Sequence, residues 1–166
     1  DDLTGISLLG FVADGGAVDT VTLQSTEQRT ARIEGPEGHG LEGARVNCVE
    51  AGPGSRYWSA LVDDSGNADI RLPRSSLTCE VTPPGNRRDL AQRYFEVAAD
   101  DDLFFWLDYG EQIAGVVELL GKPQAFALLE VHSAAGTLLG RVVTGEAGRF
   151  SIHVLVEDSV STTTDL

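Results

Sequence analysis

Carboxylates crowd into one short stretch of the chain, from Asp63 to Asp69. Asp63, Asp64 and Asp69, together with the amide of Asn67, are hard oxygen donors of the kind that calcium prefers. The stretch lacks the fuller ligand spacing of an EF-hand loop, and a plain solvated turn between two strands is the simpler explanation of the same residues. We therefore predict a turn that could hold calcium, and no other cofactor. The aspartate run 100–102 also has two explanations: it could bind calcium, or its charges could keep a sheet edge from pairing with another chain.

Two cysteines, Cys48 and Cys79, fall at the inward phase of alternating strands. Cys48 follows Val46 by two positions and Cys79 follows Leu77 by two, so each shares a face with an apolar neighbour. Inward thiols on strands of one sandwich can meet at bonding distance, and closing about 30 residues stabilises a fold by roughly 3 to 4 kcal/mol. Such a bond persists in an oxidising compartment. We predict this disulfide, with two buried free thiols as the alternative.

Aromatic residues cluster in two places, at Tyr57-Trp58 and between Phe104 and Tyr109. Alternation places one member of each neighbouring pair inside and the other outside. An exposed Trp58 or Trp106 could stack on a sugar ring or dock to a partner, whereas a buried one belongs to the core or to a contact between modules.

Motifs that carry catalysis are absent from the sequence. The chain contains no G-x-S-x-G, H-E-x-x-H or G-x-G-x-x-G motif, and Cys48 lies in a strand, unlike an exposed activated thiolate. His132 and His153 fall on the outward phase of neighbouring predicted strands, where they could face each other. Two imidazoles without a third ligand make a poor zinc site, so we predict no metal there and no enzyme activity.

The chain is strongly acidic. Its 166 residues carry 12 basic and 26 acidic side chains, a formal charge of −14. Such a charge repels phosphate backbones and anionic lipid headgroups, which argues against nucleic acid and direct membrane insertion. Solubility of an exported protein explains the acidity, and binding of cations or of a basic protein is the alternative.

An internal repeat organises the chain, because residues 19–72 and 102–154 carry one strand pattern about eighty-odd residues apart. Val21 to Leu23 matches Phe105 to Leu107. Further along, Gly38, Ala44, Val46, Cys48 and Gly66 match Gly121, Ala127, Leu129, Val131 and Gly148. Many short strands separated by turn signals predict an all-β fold of tandem Ig-like or transthyretin-like antiparallel β-sandwich modules.

The repeat predicts three regions. Residues 1–27 form a β-hairpin that is either the tail of a preceding module or a pair of completing strands. Residues 28–110 form the first β-sandwich module, with a helical turn over 86–93 capped by Asn86. Residues 111–166 form a second module that is short of two strands. The tail could supply one, the array could extend beyond the chain, or the amino-terminal hairpin could complete the second module's sheet.

Several turns and strands resemble a known family. Ile113 to Val117, Gly121-Lys122-Pro123, Ala127 to Val131 and Gly145 to Phe150 resemble carboxypeptidase regulatory-like domains of the transthyretin-like (prealbumin-like) fold. The first module matches through Gly43 to Val46, Asp63 to Gly66 and Leu72-Pro73, but has Ala31 where glycine is usual and Ala68 where the aromatic stands. The resemblance covers about residues 28–156 and implies a fold rather than an activity.

These observations predict non-catalytic β-sandwich modules of a larger envelope or secreted protein. We expect them to act as a structural spacer and a protein-binding or adhesion surface, at the cell surface or secreted, with a bacterial envelope favoured. The partner would be a protein or neighbouring modules of the same chain. The alternative is a carbohydrate-binding accessory module of a larger secreted enzyme.

Overall fold

The computed structural model describes residues 25–50 and 55–155 and the backbone of residues 160–165. Within these residues the chain forms strands and turns and no helix, so the predicted all-β class is confirmed. Residues 1–24, and with them most of the predicted 1–27 hairpin, lie outside the described residues. The strands are β1 Thr26–Glu34, β2 Arg45–Glu50, β3 Tyr57–Leu61, β4 Asn67–Pro73, β5 Leu77–Thr82, β6 Arg93–Val97, β7 Phe104–Trp106, β8 Glu111–Val116, β9 Glu118–Leu119, β10 Lys122–Pro123, β11 Leu128–Ser133, β12 Leu138–Val143, β13 Arg149–Val154 and β14 Val160–Asp165.

The first seven strands form two sheets around one core. One sheet has the order β3-β2-β5-β6 and the other the order β4-β1-β7, with β7 parallel to β1. Strand β5 shows why they form: its side chains alternate between buried and half-buried along its length, so one face of the strand is apolar. The buried core side chains come from both sheets and from the loops beside them: Ala31, Ile33, Leu41, Ala44, Val46, Cys48, Val62, Ala68, Ile70, Leu72, Leu77, Cys79, Val81, Leu90, Val97, Leu103, Phe105 and Leu107.

The remaining strands form a smaller set of sheets, with the orders β12-β11-β14 and β13-β8 and a short β9-β10 hairpin. Strand β14 comes from the polar tail and pairs antiparallel with β11, from Ser133 opposite Val160 to Leu128 opposite Asp165. The described apolar side chains here form two separate small clusters. Their buried members are Val117, Ala127 and Leu129 in one and Val131, Ile152 and Val154 in the other.

Backbone hydrogen bonds recur between the two sets of sheets. Four amide-to-carbonyl bonds in the first set have a counterpart 82 to 84 residues later in the second set. Each bond is given from the amide donor to the carbonyl acceptor. The bond from Ile33 to Gly66 matches that from Val117 to Gly148, and the bond from Gly43 to Val62 matches that from Phe126 to Thr144. The bond from Val62 to Ala44 matches that from Thr144 to Ala127, and the bond from Gly66 to Asp63 matches that from Gly148 to Gly145. Matching positions also share the left-handed backbone, at Gly38, Gly43 and Gly66 and at Gly121, Phe126 and Gly148.

The chain runs from end to end through the first set of sheets. Strand β1 begins at Thr26, opposite Pro73. We call this end of the first set the entry pole, and it includes the turns at 73–77 and 97–102. Strands β1 and β7 are parallel, so both finish at the opposite end, where β7 leads into β8. We call that end the junction. In the second set, the 118–123 hairpin, Phe126 and the 145–148 turn lie at the end away from the junction, which we call the far pole.

One predicted element is absent. Residues 86–93 are not a helical turn. They form successive β-turns closed by amide-to-carbonyl bonds from Arg87 to Pro84 and from Leu90 to Arg87, and Arg93 already begins β6. Cross-strand pairing with β5 and the burial of Leu90 outweigh the weak local preference for a capped helix. Across the described ranges, no helix has the length and hydropathy that crossing a membrane requires.

Candidate functional site

Cys48 and Cys79 form a disulfide, with an S–S distance of 2.04 Å. They lie directly opposite each other on β2 and β5, and both side chains are buried in the core between the two sheets. The bond therefore ties two neighbouring strands of one sheet and closes the segment that carries β3 and β4. Its sulfurs face the core, so its role here is structural.

The acidic turn at 63–69 uses its carboxylates within the turn itself. Asp63 Oδ1 accepts hydrogen bonds from the amides of Ser65 and Asn67, both at 2.9 Å. Asp69 Oδ1 accepts from the Thr30 hydroxyl at 2.7 Å, across the strand pair. Over residues 25–50 and 55–155, no three His, Cys, Asp or Glu side chains come together as a metal site. The calcium prediction at Asp63, Asp64, Asn67 and Asp69 remains untested.

The aspartate run 100–102 closes a turn at the entry pole. Asp101 Oδ2 accepts from the amide of Ala98 at 2.7 Å, and the Arg29 guanidinium donates to the carbonyls of Ala99 and Asp101. These bonds join the turn before β7 to the edge of β1.

Neither tryptophan is fully exposed. Trp58 lies opposite Cys48 and packs against the core, half-buried, while its neighbour Tyr57 is 61% exposed. Trp106 is half-buried too, and its indole N–H donates to Asp108 Oδ1 at 2.8 Å. The exposed member of the second group is Phe104. The positions therefore favour core and local contacts over a stacking platform for sugars.

The expectation that His132 and His153 face each other is wrong. His132 lies on β11, which pairs with β12 and β14, whereas His153 lies on β13, which pairs with β8. The two strands belong to different sheets, because consecutive strands of a sandwich often cross between layers. His132 Nε2 lies 3.2 Å from Glu130, and the carbonyl of His153 accepts from the amide of Gln92.

A buried glutamine, Gln92, joins the two sets of sheets. The Gln92 side-chain carbonyl accepts from the backbone amide of Arg141 at 3.3 Å, and the Gln92 backbone amide donates to the backbone carbonyl of His153, also at 3.3 Å. Its side-chain N–H group donates to the Tyr94 hydroxyl at 3.0 Å and to Glu80. The side chain of Gln92 thus reaches β12 and the outer face of the first four-stranded sheet, and its backbone N–H reaches β13.

Charged and aromatic groups surround this glutamine. The Arg141 guanidinium lies over the Tyr94 ring at 5.9 Å, and its Nε lies 2.9 Å from Glu130. The Tyr94 hydroxyl donates to Glu80 Oε1 at 3.1 Å. Burial, with the nearby Glu80 carboxylate, raises the pKa of Tyr94, so the phenol stays protonated and keeps donating.

Tyr109 and Arg87 hold Glu37 at the junction. The Tyr109 hydroxyl donates to Glu37 Oε1, and Arg87 lies 3.3 Å from the same oxygen and 3.2 Å from Asp89. The hydrogen bond from Tyr109 lowers the pKa of Glu37, with Arg87 adding to the effect. Gly110 is required beside this group, because a Cβ there would stand 2.9 Å from the Ala91 Cβ and 3.0 Å from that of His153.

An open cleft of about 350 Å³ lies between the two sets of sheets. Its lining includes Arg88, Gln92, Gln112, Arg141, Ser151 and His153. Arg88 donates to the carbonyl of Gly85, and Gln112 donates to the Ser151 hydroxyl at 2.8 Å. Each of these two contacts lies within one set of sheets, so they shape the walls of the cleft and do not cross it.

Large apolar side chains are exposed at the far pole. Leu120 is 94% exposed at the tip of the β9-β10 hairpin, and Phe126 is 72% exposed. Both have left-handed backbones, with φ of 52° and 58°, which side chains larger than glycine rarely adopt. Leu119, Leu128 and Val143 are exposed as well. Together these side chains form an exposed apolar patch at the far pole, a feature that often marks an interaction surface.

No sequence motif points to the junction residues. Gln92 and Arg141 stand 49 residues apart in no motif, and Glu37 and Tyr109 stand 72 apart. Only the repeat boundary near residue 110 indicated that a seam exists there.

No protein-family model matches the chain, and no curated protein matches it. Among solved structures, the Bacillus anthracis TIE protein is 14% identical with a TM-score of 0.37, over 84% of this chain and 31% of that one. The D295N mutant of shaft pilin SpaA from Lactobacillus rhamnosus GG is 10% identical with a TM-score of 0.34, over 84% of this chain and 86% of that one. Fervidolysin from Fervidobacterium pennivorans, a keratinolytic enzyme related to subtilisin, is 14% identical with a TM-score of 0.38, over 82% of this chain and 24% of that one. This chain thus spans less than a third of the first and last of these proteins, and TM-scores this low say nothing about its function.

Proposed function

We propose that residues 28–110 and 111–166 are tandem β-sandwich modules that act as a rigid, non-catalytic spacer with a protein-binding surface in a larger envelope or secreted protein. The recurrence of the same backbone hydrogen bonds 82 to 84 residues apart carries this proposal. It extends the repeat seen in the sequence to the backbone, and it supports the resemblance to carboxypeptidase regulatory-like, transthyretin-like domains. Modules that repeat in this way stack end to end.

The seam between the modules supports a rigid spacer. Gln92 hydrogen-bonds to both β12 and β13, Arg141 covers the Tyr94 ring, and Gly110 allows close approach of the linker. A flexible linker would leave such groups to water. Because the chain enters the first module at one pole and leaves at the other, a rigid seam adds the length of the second module to that of the first.

The disulfide supports an oxidising compartment, since such bonds form and persist outside the cytosol of most cells. The formal charge of −14 is compatible with an exported, soluble surface. The carbohydrate-binding alternative gains no support, because Trp58 packs against the core and Trp106 is half-buried with its N–H group bonded to Asp108.

Distances between spin labels test the spacer. Cysteines introduced as Ser76→Cys at the entry pole and Ala147→Cys at the far pole report the end-to-end separation. The pair Ser76→Cys and His39→Cys lies within the first module and sets the width expected of a rigid body. We expect equally narrow distributions for both pairs, and a broader one for the long pair when Gln92→Ala is added. A broad long-pair distribution in the otherwise unchanged protein would refute a rigid spacer.

A further inference from the structure

The cleft between the two sets of sheets differs in charge from the chain as a whole. The described residues that line it include two arginines and a histidine, Arg88, Arg141 and His153, and no aspartate or glutamate. The whole chain has 26 acidic and 12 basic side chains and a formal charge of −14. Such a charge repels anions over most of the surface, so a wall without carboxylates is a local exception.

Arg88, on the first wall of the cleft, has most of its hydrogen-bonding capacity available. Its side chain is exposed, and its Nε donates to the carbonyl of Gly85 at 3.2 Å. The neighbouring arginine, Arg87, is paired with Glu37 and Asp89. Among the described residues, no carboxylate forms an ion pair with Arg88. Its terminal N–H groups are therefore free to bind a ligand.

The second wall of the cleft also presents donors. Gln112 donates to the Ser151 hydroxyl at 2.8 Å, so this hydroxyl keeps its own hydrogen to donate. Arg141 uses its Nε on Glu130, at 2.9 Å, and its terminal N–H groups remain. Gln92, by contrast, has its side-chain carbonyl and its side-chain N–H group bonded within the protein. The cleft thus has an excess of N–H and O–H donors, which suits a ligand rich in acceptors.

The rest of the lining is apolar. Leu90, Ile152 and Pro84 are buried beneath the cleft, and Val142 is half-buried. No aromatic ring is among the described lining residues, so the cleft lacks the stacking face that suits a sugar. Its volume of about 350 Å³ lies near the lower end of the range for ligand sites, roughly 300 to 1,000 Å³. The cleft therefore fits a small group that is apolar on one side and anionic on the other.

We propose that this cleft binds a carboxylate attached to a small apolar group, as an acidic or carboxyl-terminal segment of a partner protein presents it. Arg88 binds the carboxylate, because a guanidinium matches its two oxygens with parallel hydrogen bonds. Leu90 and Ile152 contact the apolar group. This proposal rests on the protein-binding surface proposed above and names the chemistry of the partner. Since Arg88 belongs to the first set of sheets and Ser151 to the second, a bound segment contacts both.

Titration of the full chain with N-acetyl-leucine, followed by NMR, tests the site. This probe carries a carboxylate beside an apolar side chain. We expect saturable shifts of the backbone amide signals of Gln112, Arg141 and Ser151. N-acetyl-leucinamide lacks only the charge and should bind at least about tenfold more weakly. Acetate has the charge without the apolar group and should also bind weakly. Equal responses to N-acetyl-leucine and to either control, or no shifts up to the highest soluble concentration, would overturn the proposal.

Two arginine variants identify the group that binds the carboxylate. Arg88→Gln keeps a polar side chain but removes the charge, and should weaken binding of N-acetyl-leucine by about tenfold. Arg149→Gln is the matched control, because it removes the same charge from an exposed position at the far pole, opposite Val116. It should leave binding unchanged. Equal binding by both variants would show that Arg88 does not bind the carboxylate, and the proposal would be wrong.

A peptide pair distinguishes the two sources of the carboxylate. N-acetyl-Leu-Asp-Leu-amide has its charge on a side chain, and N-acetyl-Leu-Asn-Leu-amide has none. Binding of the aspartate peptide at least as tight as that of N-acetyl-leucine would assign an acidic side chain, and binding of N-acetyl-leucine alone would assign a carboxyl terminus. Equal binding of the two peptides would refute the proposal. The spin-label distances are measured without any ligand, so a failure of this site and a failure of the rigid spacer are distinguishable.

Discussion

Removing the disulfide gives the sharpest test of how the first module is held together. Cys48 and Cys79 are 31 residues apart. In the chain-entropy relation, −2.1 − 1.5R ln n with n of 31 gives about −12 cal/mol/K, or roughly 3.7 kcal/mol at 25 °C. With a urea m-value of about 1 to 3 kcal/mol/M, the midpoint of unfolding should fall by about 1 to 4 M.

The assay follows tryptophan fluorescence during urea unfolding of the unchanged protein and the Cys48→Ala, Cys79→Ala variant. Both tryptophans of the chain, Trp58 and Trp106, lie in residues 28–110, so the signal reports on the first module. Adding reductant should destabilise the unchanged protein and leave the variant as it was. If the unchanged protein, reduced and with both thiols shown to be free, loses less than about 1 kcal/mol of unfolding free energy, the reasoning is refuted. Such a result would mean that the unfolded chain already keeps β2 and β5 together.

Three further outcomes are expected. Phe105→Ala should cost about 3 to 5 kcal/mol, because its ring is buried and lies 5.0 Å from that of Phe95, whereas exposed Phe104→Ala should cost less than about 0.5 kcal/mol in the same urea titration. The lowered pKa of Glu37 stabilises the fold at neutral pH, and this contribution is lost as the pH falls below 4.5, the ordinary pKa of a glutamate. Tyr109→Phe removes the main cause of the lowered pKa, so it should reduce the drop in Tm on acidification. An unchanged dependence of Tm on pH would contradict this. Millimolar calcium should leave Tm unchanged, since the Asp63 carboxylate is already bonded within its own turn, and a rise of several degrees would instead support calcium binding.

The strands could be predicted from the sequence because alternation and turn glycines are local signals. Leu77 and Cys79 lie on one buried face of β5, as the alternation predicts, and Gly66, within the predicted turn at 63–69, has the left-handed backbone that favours glycine. The inward phase of Cys48 and Cys79 followed from the same alternation. Each of these features depends on residues a few positions apart.

The junction and the far pole could not be predicted, because they depend on pairs distant in sequence. Nothing local to Gln92 indicates that it meets Arg141, and the parallel pairing of β1 with β7 joins strands that lie on either side of the whole first module. Phe126 shows that a local backbone preference can also mislead. It adopts a left-handed backbone where the matching residue of the first module is Gly43, so the hydrogen bond to Thr144 outweighs its own preference.

The parallel pairing of β1 and β7 determines how the first module responds to a pulling force. A load on the two ends of the chain draws Thr26 out at one pole and Trp106 out at the other, so the hydrogen bonds between these neighbouring strands are strained together in shear. Bonds loaded side by side must break at once, unlike those of a hairpin unzipped from its end. Behind them, the covalent link between Cys48 and Cys79 withholds the intervening residues from extension. At about 3.4 Å for each residue, that shortens the fully stretched chain by roughly 100 Å.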